Sequence, residues 1–130
     1  MRILFVCVHN SGRSQMAEAY VNAFARERGL DVHAESAGTI AGSAINPLAA
    51  AAMAEVGVDL AGHKPKQLTQ EMADRADRII SMGCGVDTEA CPARFLVSED
   101  WELDDPAGEP IESVRRIRDE ILERVAKLIG

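Results

Sequence analysis

A cysteine and an arginine separated by five residues form the first pattern in this chain that suggests chemistry. Cys7 ends a short apolar run, and Arg13 follows a polar segment that contains Asn10 and Gly12. A loop that leads from a buried strand into a helix can direct several backbone N–H groups toward one tetrahedral oxyanion, and an arginine adds two parallel donors. Because so short a motif also arises by chance, its context must support it. The pattern predicts an oxyanion-binding loop.

The same surroundings would activate the cysteine. A helix N-terminus and a nearby guanidinium stabilise a thiolate, which is the nucleophilic form of cysteine, and a serine hydroxyl follows directly in the sequence. We therefore expect Cys7 to be a nucleophile and Arg13 to clamp the oxyanion. The alternative is that Cys7 is a small core residue and Arg13 a surface charge. The other residues expected to bind the substrate are Val8, His9, Asn10, Ser11, Gly12 and Ser14.

Composition limits the classes of protein to consider. The chain has 130 residues, of which 47% are hydrophobic and 27% charged, which suits one domain spanning residues 1–130. Its net charge of −7 argues against nucleic acid as a partner. No apolar run reaches the roughly 20 residues of a membrane span, and the first residues leave no room for a signal peptide. Three cysteines are unlike a secreted disulfide framework, so we expect a soluble, cytoplasmic protein with no membrane partner.

Alternating strand and helix patterns define the elements that must position the loop. Short apolar runs predict strands at residues 3–6, 32–37, 78–82 and 95–97. Helical spacing, caps and glycine stops predict helices from the loop to residue 28, at 47–56, at 69–76 and along 114–128. This alternation is typical of an α/β fold, here a single-domain three-layer α/β/α arrangement with a four-stranded parallel sheet. Ligands bind at the carboxyl ends of such strands, which is where the Cys7 loop lies.

Residues 7–14 resemble the phosphate-binding loop of the low-molecular-weight protein tyrosine phosphatases and of the arsenate reductases built on the same fold. The continuation at residues 15–18, which reads Gln-Met-Ala-Glu, favours the reductase branch. The resemblance extends over nearly the whole chain, because later segments occur in the order and spacing of the family. These segments are residues 35–38, 62–68, 81–84 and 101–108.

The resemblance implies a general acid near the C-terminus. In the family, an aspartate directly before a proline protonates the leaving oxygen, and Asp105 before Pro106 holds the matching position. The neighbouring Asp104 is the less favoured candidate. Two adjacent carboxylates also fit an acidic loop that is simply solvated, so the role of Asp105 depends on its geometry.

The resemblance also gives a role to the two remaining cysteines, Cys84 and Cys91. They match the redox pair of thioredoxin-coupled arsenate reductases, in which two thiols supply the electrons that reduce As(V) to As(III). In the implied sequence of steps, Cys7 attacks arsenate, Cys84 attacks Cys7 and releases arsenite, and Cys91 attacks Cys84. Thioredoxin then reduces the disulfide between Cys84 and Cys91. Two inert thiols and a zinc site are the alternatives.

The spacing of this pair predicts a structural change. If residues 84–91 were helical, a rise of about 1.5 Å per residue would separate the two Cα atoms by roughly 10 Å, whereas a disulfide allows about 7 Å. Gly83 and Gly85 loosen one end of the segment, and Pro92 prevents helix continuation at the other. We therefore expect the segment to rearrange on oxidation.

Two further positions, Asn10 and Ser36, match family residues that brace the loop from behind. Some reductases of the family bind potassium beside this brace. Here the corresponding region, residues 63–66, contains Lys64 and Lys66, and a lysine ammonium can replace the ion. We therefore assign no metal and no cofactor.

The expected rim of the site suits a small substrate. Residues 38–41 and 105–108 contain no aromatic side chain that could stack on an aryl ester, and Trp101 is the aromatic residue nearest to the acid in the sequence. His9, inside the loop, fits either a filler or a proton-transfer role.

We expect a monomeric, thioredoxin-coupled arsenate reductase that retains some phosphatase activity. A phosphatase whose extra cysteines protect Cys7 from oxidation is the second interpretation, and a non-enzymatic redox or oxyanion sensor is the third.

Overall fold

Four parallel strands form the centre of the structure, a computed structural model that describes residues 1–82, 99–101, 103–104 and 106–129. The strand order in the sheet is β2-β1-β3-β4. This confirms the predicted α/β fold with a four-stranded parallel sheet, while the strand predicted at residues 95–97 lies outside the described residues. In chain order, the elements are β1 (Arg2–Cys7), α1 (Arg13–Arg28), β2 (His33–Gly38), α2 (Pro47–Glu55), α3 (Gln70–Arg75), β3 (Arg78–Ser81), β4 (Glu99–Asp100) and α4 (Ile111–Ile129).

The central strand β1 is continuously apolar after Arg2, because both faces of this part of the strand are buried. Ile3 and Phe5 pack against side chains of α1, α2 and α4. Leu4 and Val6 point to the other face of the sheet and pack against side chains of α3. Helices therefore cover both faces, which is the three-layer arrangement expected from the sequence.

Local signals set the helix ends close to the predicted positions. The side chain of Asn46 caps α2 by accepting hydrogen bonds from two N–H groups of the first turn. Thr69 caps α3 by accepting from the N–H of Met72. Helix α1 ends at Gly29, whose φ of 67° lies in the left-handed region that glycine tolerates. Within the described ranges, no helix has the length and the apolar character needed to cross a bilayer.

An ion-pair cluster joins α2 to α4. The carboxylate of Glu55 accepts hydrogen bonds from Arg115 at 2.7 Å and from Arg118 at 2.8 Å. These contacts, first among them the hydrogen bond from Arg115, lower the pKa of Glu55 from 4.5 to about 2. The cluster therefore stabilises the helix pair while Glu55 is ionised.

The carboxyl ends of β1 and β2 hold the loop that connects β1 to α1. Cys7 lies opposite Gly38 in the register of the two strands. Residues 39–42 then continue alongside the loop through backbone hydrogen bonds to the carbonyl groups of Cys7, Val8 and His9. A Cβ atom on Gly38 would lie 2.5 Å from the carbonyl oxygen of Val8, so this close approach requires glycine.

Candidate active site

A small pocket lies between the β1–α1 loop and the segment at residues 106–107. Its volume is about 30 Å³. Asn46 and Pro106 form part of the wall beside the loop. Two of the residues predicted to bind the substrate, Val8 and Ser14, do not line the pocket. The predicted residues that do line it are Cys7, His9, Asn10, Ser11, Gly12 and Arg13.

Cys7 is buried, and its Sγ atom contacts polar groups of Asn10 and Ser14. The backbone N–H of Asn10 donates to Sγ at 3.1 Å, and Ser14 Oγ lies 2.8 Å from Sγ. Ser14 Oγ already accepts a hydrogen bond from Asn10 Nδ2 at 2.7 Å, which allows its hydroxyl hydrogen to point at Sγ. Both groups can donate a hydrogen bond to the sulfur of Cys7. The arrangement therefore suits Cys7 as a nucleophile.

Asn10 is the internal brace of the loop. Its φ of 54° lies in the left-handed region, and its side chain is fully buried. Asn10 Oδ1 accepts hydrogen bonds from Gln15 Nε2 and from the backbone N–H of Lys66, both at 2.8 Å. Together with the bond to Ser14, these contacts connect the nucleophile to α1 and to the segment before α3.

A buried carboxylate lies behind this brace. Glu18 on α1 is 6% exposed, and its Oε1 atom accepts from Lys66 Nζ at 2.6 Å and from Ser36 Oγ at 3.2 Å. His63 Nδ1 lies 3.3 Å from the other carboxylate oxygen. Ser36 thus contacts Glu18, whereas Asn10 contacts the loop itself. The Lys66 ammonium therefore lies next to the brace.

Sequence patterns alone did not predict three residues of this site. Gln15 and Glu18 are 0% and 6% exposed. The sequence signal that could have identified them is the presence of two polar side chains on the helix face that packs inward. Asn46 lines the pocket, and its backbone N–H donates to the carbonyl of Ser11 at 2.8 Å. Its only sequence signal was its position as a helix cap.

Arg13 is held by main-chain carbonyls of two other segments. It is the first residue of α1 and is 6% exposed. Its Nη1 atom donates to the carbonyl oxygens of Met82 at 3.0 Å and Leu103 at 2.9 Å. These bonds fix the guanidinium beside the pocket. Arg13 therefore connects the anion loop to the end of β3 and to the segment that precedes the predicted acid.

The predicted acid Asp105 and the predicted redox pair, Cys84 and Cys91, lie outside the described residues. The neighbouring Asp104 is exposed, and one of its carboxylate oxygens lies 3.5 Å from Arg116 Nη2. This contact joins Asp104 to α4, and Asp104 is not among the described residues that line the pocket.

The described residues of the pocket rim lie close to the loop, and few of them carry an aromatic ring. Pro106 is buried, and a Cβ atom on Gly12 would lie 2.9 Å from its Cγ atom. Trp101 packs in the core, where its ring centroid lies 5.4 Å from that of Phe5. Among the described residues of the lining, His9 is the one that carries an aromatic ring. The volume and the rim suit a small free oxyanion.

Known proteins resemble this chain over almost its whole length. A family model described as low molecular weight phosphotyrosine protein phosphatase matches residues 2–130. A protein from Synechocystis sp. named glutaredoxin arsenate reductase is 38% identical over 130 residues, with 99% of this chain and 96% of the relative covered.

Two solved structures share the fold. The low molecular weight protein tyrosine phosphatase from T. tengcongensis has a TM-score of 0.84 and 30% identity, with 99% of this chain and 97% of that chain covered. A thioredoxin-dependent arsenate reductase from Corynebacterium glutamicum has a TM-score of 0.76 and 37% identity, with 98% of this chain and 59% of that chain covered.

Proposed function

This chain belongs to the low molecular weight phosphotyrosine protein phosphatase family, and we propose that within it the chain is an arsenate reductase whose substrate binds over Cys7. The observation that carries the proposal is a pocket of about 30 Å³ that is lined by Cys7. Among the described lining residues, only His9 carries a ring that could stack on an aryl group. Such a pocket fits a free oxyanion better than an aryl ester. The name of the Synechocystis relative supports the same activity.

The first step forms a bond between Cys7 and arsenic. The Cys7 thiolate attacks bound arsenate, and one oxygen leaves as water. Backbone N–H groups of the loop and the Arg13 guanidinium hold the remaining oxygens and balance their charge. We assign the proton donor for the leaving oxygen to Asp105, because the residue that follows it, Pro106, lines the pocket.

The second step reduces arsenic by two electrons. By the family resemblance, the Cys84 thiolate attacks the Cys7 sulfur, the sulfur–arsenic bond breaks, and its electron pair leaves with arsenic as arsenite. The Cys91 thiolate then attacks Cys84 and expels the Cys7 thiolate. Two thiols are oxidised to one disulfide for each As(V) reduced to As(III), and Cys7 is ready for another cycle.

We propose a cytoplasmic dithiol protein of the thioredoxin type as the reductant. A disulfide between two cysteines of one chain is reduced by a dithiol through a mixed disulfide. The names of the relatives indicate different reductants. The Synechocystis protein is named after glutaredoxin, whereas the Corynebacterium glutamicum protein is described as thioredoxin-dependent. The experiment must therefore compare both reductants.

The test is arsenate-dependent NADPH oxidation, coupled either to thioredoxin and its reductase or to glutaredoxin, glutathione and glutathione reductase. We expect turnover with thioredoxin, and its loss in each of the variants Cys7→Ser, Cys84→Ser and Cys91→Ser. Aryl phosphate hydrolysis is the matched control, because it requires only Cys7 and shows that the other two variants are folded. Undiminished arsenate turnover by the Cys84→Ser variant would overturn the proposed order of thiol attacks.

Hydrolysis of phosphate monoesters is the second candidate function, favoured by the family description and by the T. tengcongensis structure. Hydrolysis would use Cys7 as the nucleophile, Arg13 to hold the phosphate and Asp105 as the acid, with a phosphocysteine as the intermediate. It would not require Cys84 or Cys91. A kcat/KM for aryl phosphate above that for arsenate would make hydrolysis the primary activity. A protein that shows neither activity would match the third interpretation, a redox or oxyanion sensor.

A further inference from the structure

Gly12 and Pro106 meet where the anion loop faces the segment at residues 106–107. Both residues are buried, and both line the pocket. A Cβ atom on Gly12 would lie 2.9 Å from Pro106 Cγ and 3.8 Å from Pro106 Cδ. Carbon atoms that are not bonded to each other pack at about 3.5–4.0 Å. The two segments can therefore approach this closely only because residue 12 has no side chain.

Hydrogen bonds hold both sides of this contact in place. The carbonyl of Gly12 accepts from the N–H of Met16 at 2.9 Å, which is the first backbone bond of α1. On the other side, the carbonyl of Pro106 accepts from the N–H of Glu109 at 3.1 Å. The pyrrolidine ring also fixes the φ angle of Pro106. Pro106 therefore forms a rigid wall against the loop, and neither side can move away without a loss of these bonds.

We propose that Gly12 is a specificity-determining residue, because it allows Pro106 to close the pocket around an oxyanion that carries no organic substituent. The pocket measures about 30 Å³. On the same scale one water molecule needs roughly 10–15 Å³, so the closed pocket suits a single small anion. The inference rests on the proposed function in one respect, which is that the oxyanion binds over Cys7.

The direction of attack explains why this wall selects against esters. A nucleophile displaces a leaving oxygen that lies roughly in line with it, on the far side of the central atom. The described lining comes from the loop that carries Cys7, from Asn46 and from residues 106–107. The leaving oxygen therefore points away from Cys7, toward the walls that Asn46 and Pro106 form. This oxygen carries at most a hydrogen in a free oxyanion, but it carries a carbon atom in a monoester.

Substitutions on the two sides of the contact should open the pocket in different ways. Gly12→Ala places a methyl group against Pro106 Cγ, so the loop and the wall must move apart. Pro106→Ala removes Cγ and Cδ and leaves the loop unchanged. Gly42→Ala is the matched control beside the same loop, because a Cβ atom on Gly42 would lie 3.5 Å from the carbonyl oxygen of His9, which is an ordinary contact.

The test is calorimetric titration of the full-length Cys7→Ala protein, which has no nucleophile, with inorganic phosphate and with methyl phosphate. At one mildly alkaline pH both anions carry two negative charges, so they differ mainly by one methyl group. The measured quantity is the Kd for methyl phosphate divided by the Kd for phosphate. We expect Gly12→Ala and Pro106→Ala each to lower this ratio at least about fivefold, and Gly42→Ala to leave it unchanged.

The double variant separates a contact with Pro106 from a general distortion of the loop. Gly12→Ala alone should weaken phosphate binding at least about fivefold, because the wall no longer fits the anion. Added to Pro106→Ala, it should weaken phosphate binding less than about twofold, since the Cγ atom that it would meet is gone. An equal loss in both backgrounds would overturn the proposal.

Two further outcomes are decisive. A Pro106→Ala protein with the parent ratio would overturn the proposal, and this result suffices if Gly12→Ala does not fold. A parent protein in which phosphate has no preference over methyl phosphate would also overturn it. Loss of arsenate turnover together with the expected binding ratios would instead refute the proposed function and leave the role of Gly12 intact.

Discussion

Replacement of Asn10 by alanine tests how the anion loop is held. The change removes three hydrogen bonds of a fully buried amide, which are the two accepted by Oδ1 and the one donated to Ser14. Gln15 keeps a second bond to the carbonyl of Lys64, but the N–H of Lys66 loses its partner.

The expected cost follows from these contacts. The half-buried N–H of Lys66, left without a partner, costs about 1–2 kcal/mol, and each of the other two lost bonds costs about 0.5–1 kcal/mol. The left-handed backbone costs alanine roughly 1 kcal/mol more. We therefore expect Asn10→Ala to lower the free energy of unfolding by about 4 kcal/mol, a large share of the roughly 5–15 kcal/mol of a typical domain.

Urea unfolding followed by the fluorescence of the buried Trp101 measures this loss. The matched control is Asn10→Gly, because glycine adopts the left-handed conformation without strain but makes none of the hydrogen bonds. If the hydrogen bonds dominate, both variants are destabilised by similar amounts. A glycine variant with the stability of the parent would show that only backbone strain mattered and would refute the reasoning.

Three further changes test other parts of the fold. Lys66→Met leaves the buried Glu18 without its partner at 2.6 Å, and we expect urea unfolding to show a loss of roughly 2 kcal/mol that becomes smaller when Glu18→Gln is added. Gly38→Ala puts a Cβ atom 2.5 Å from the carbonyl of Val8, so calorimetry should show at least about tenfold weaker phosphate binding. The pKa of Glu55 is lowered from 4.5 to about 2 by the arginines of α4, so its stabilisation is complete above pH 4.5 and is lost as the pH falls toward 2. The stability difference between the parent and Glu55→Gln should therefore narrow over that range in urea titrations, and a constant difference would contradict this assignment.

Sequence patterns predicted those helices and strands whose position depends on one local signal, such as an apolar run or a helix cap. The unbroken apolar run of β1 reflects burial on both faces, which is typical of a central parallel strand. Asn46 and Gly29 marked a helix start and a helix end because capping depends on residues that are adjacent in the chain. The α/β class and the parallel sheet followed from these signals, and both are confirmed.

Contacts between distant segments were less predictable. Ser36 was expected to brace the loop, yet its hydroxyl contacts Glu18, because side-chain partners across the fold depend on packing rather than on spacing. The need for glycine at position 38 likewise arises only when β2 lies beside the loop. Cys84, Cys91 and Asp105 keep the roles that the family resemblance implies, as predictions.

The anion site is preorganised because its polar groups are already bound within the protein. The Asn10 amide, the Ser14 hydroxyl and the Arg13 guanidinium all make hydrogen bonds inside the fold. In the part of the chain that the structure describes, no buried side-chain nitrogen or oxygen lacks a partner. The entropy of ordering these groups is therefore lost on folding and not on binding, so an incoming anion meets donors that need little rearrangement. A chain with a net charge of −7 can hold an anion in this way, because the local field of fixed donors acts at short range while distant acidic groups are screened.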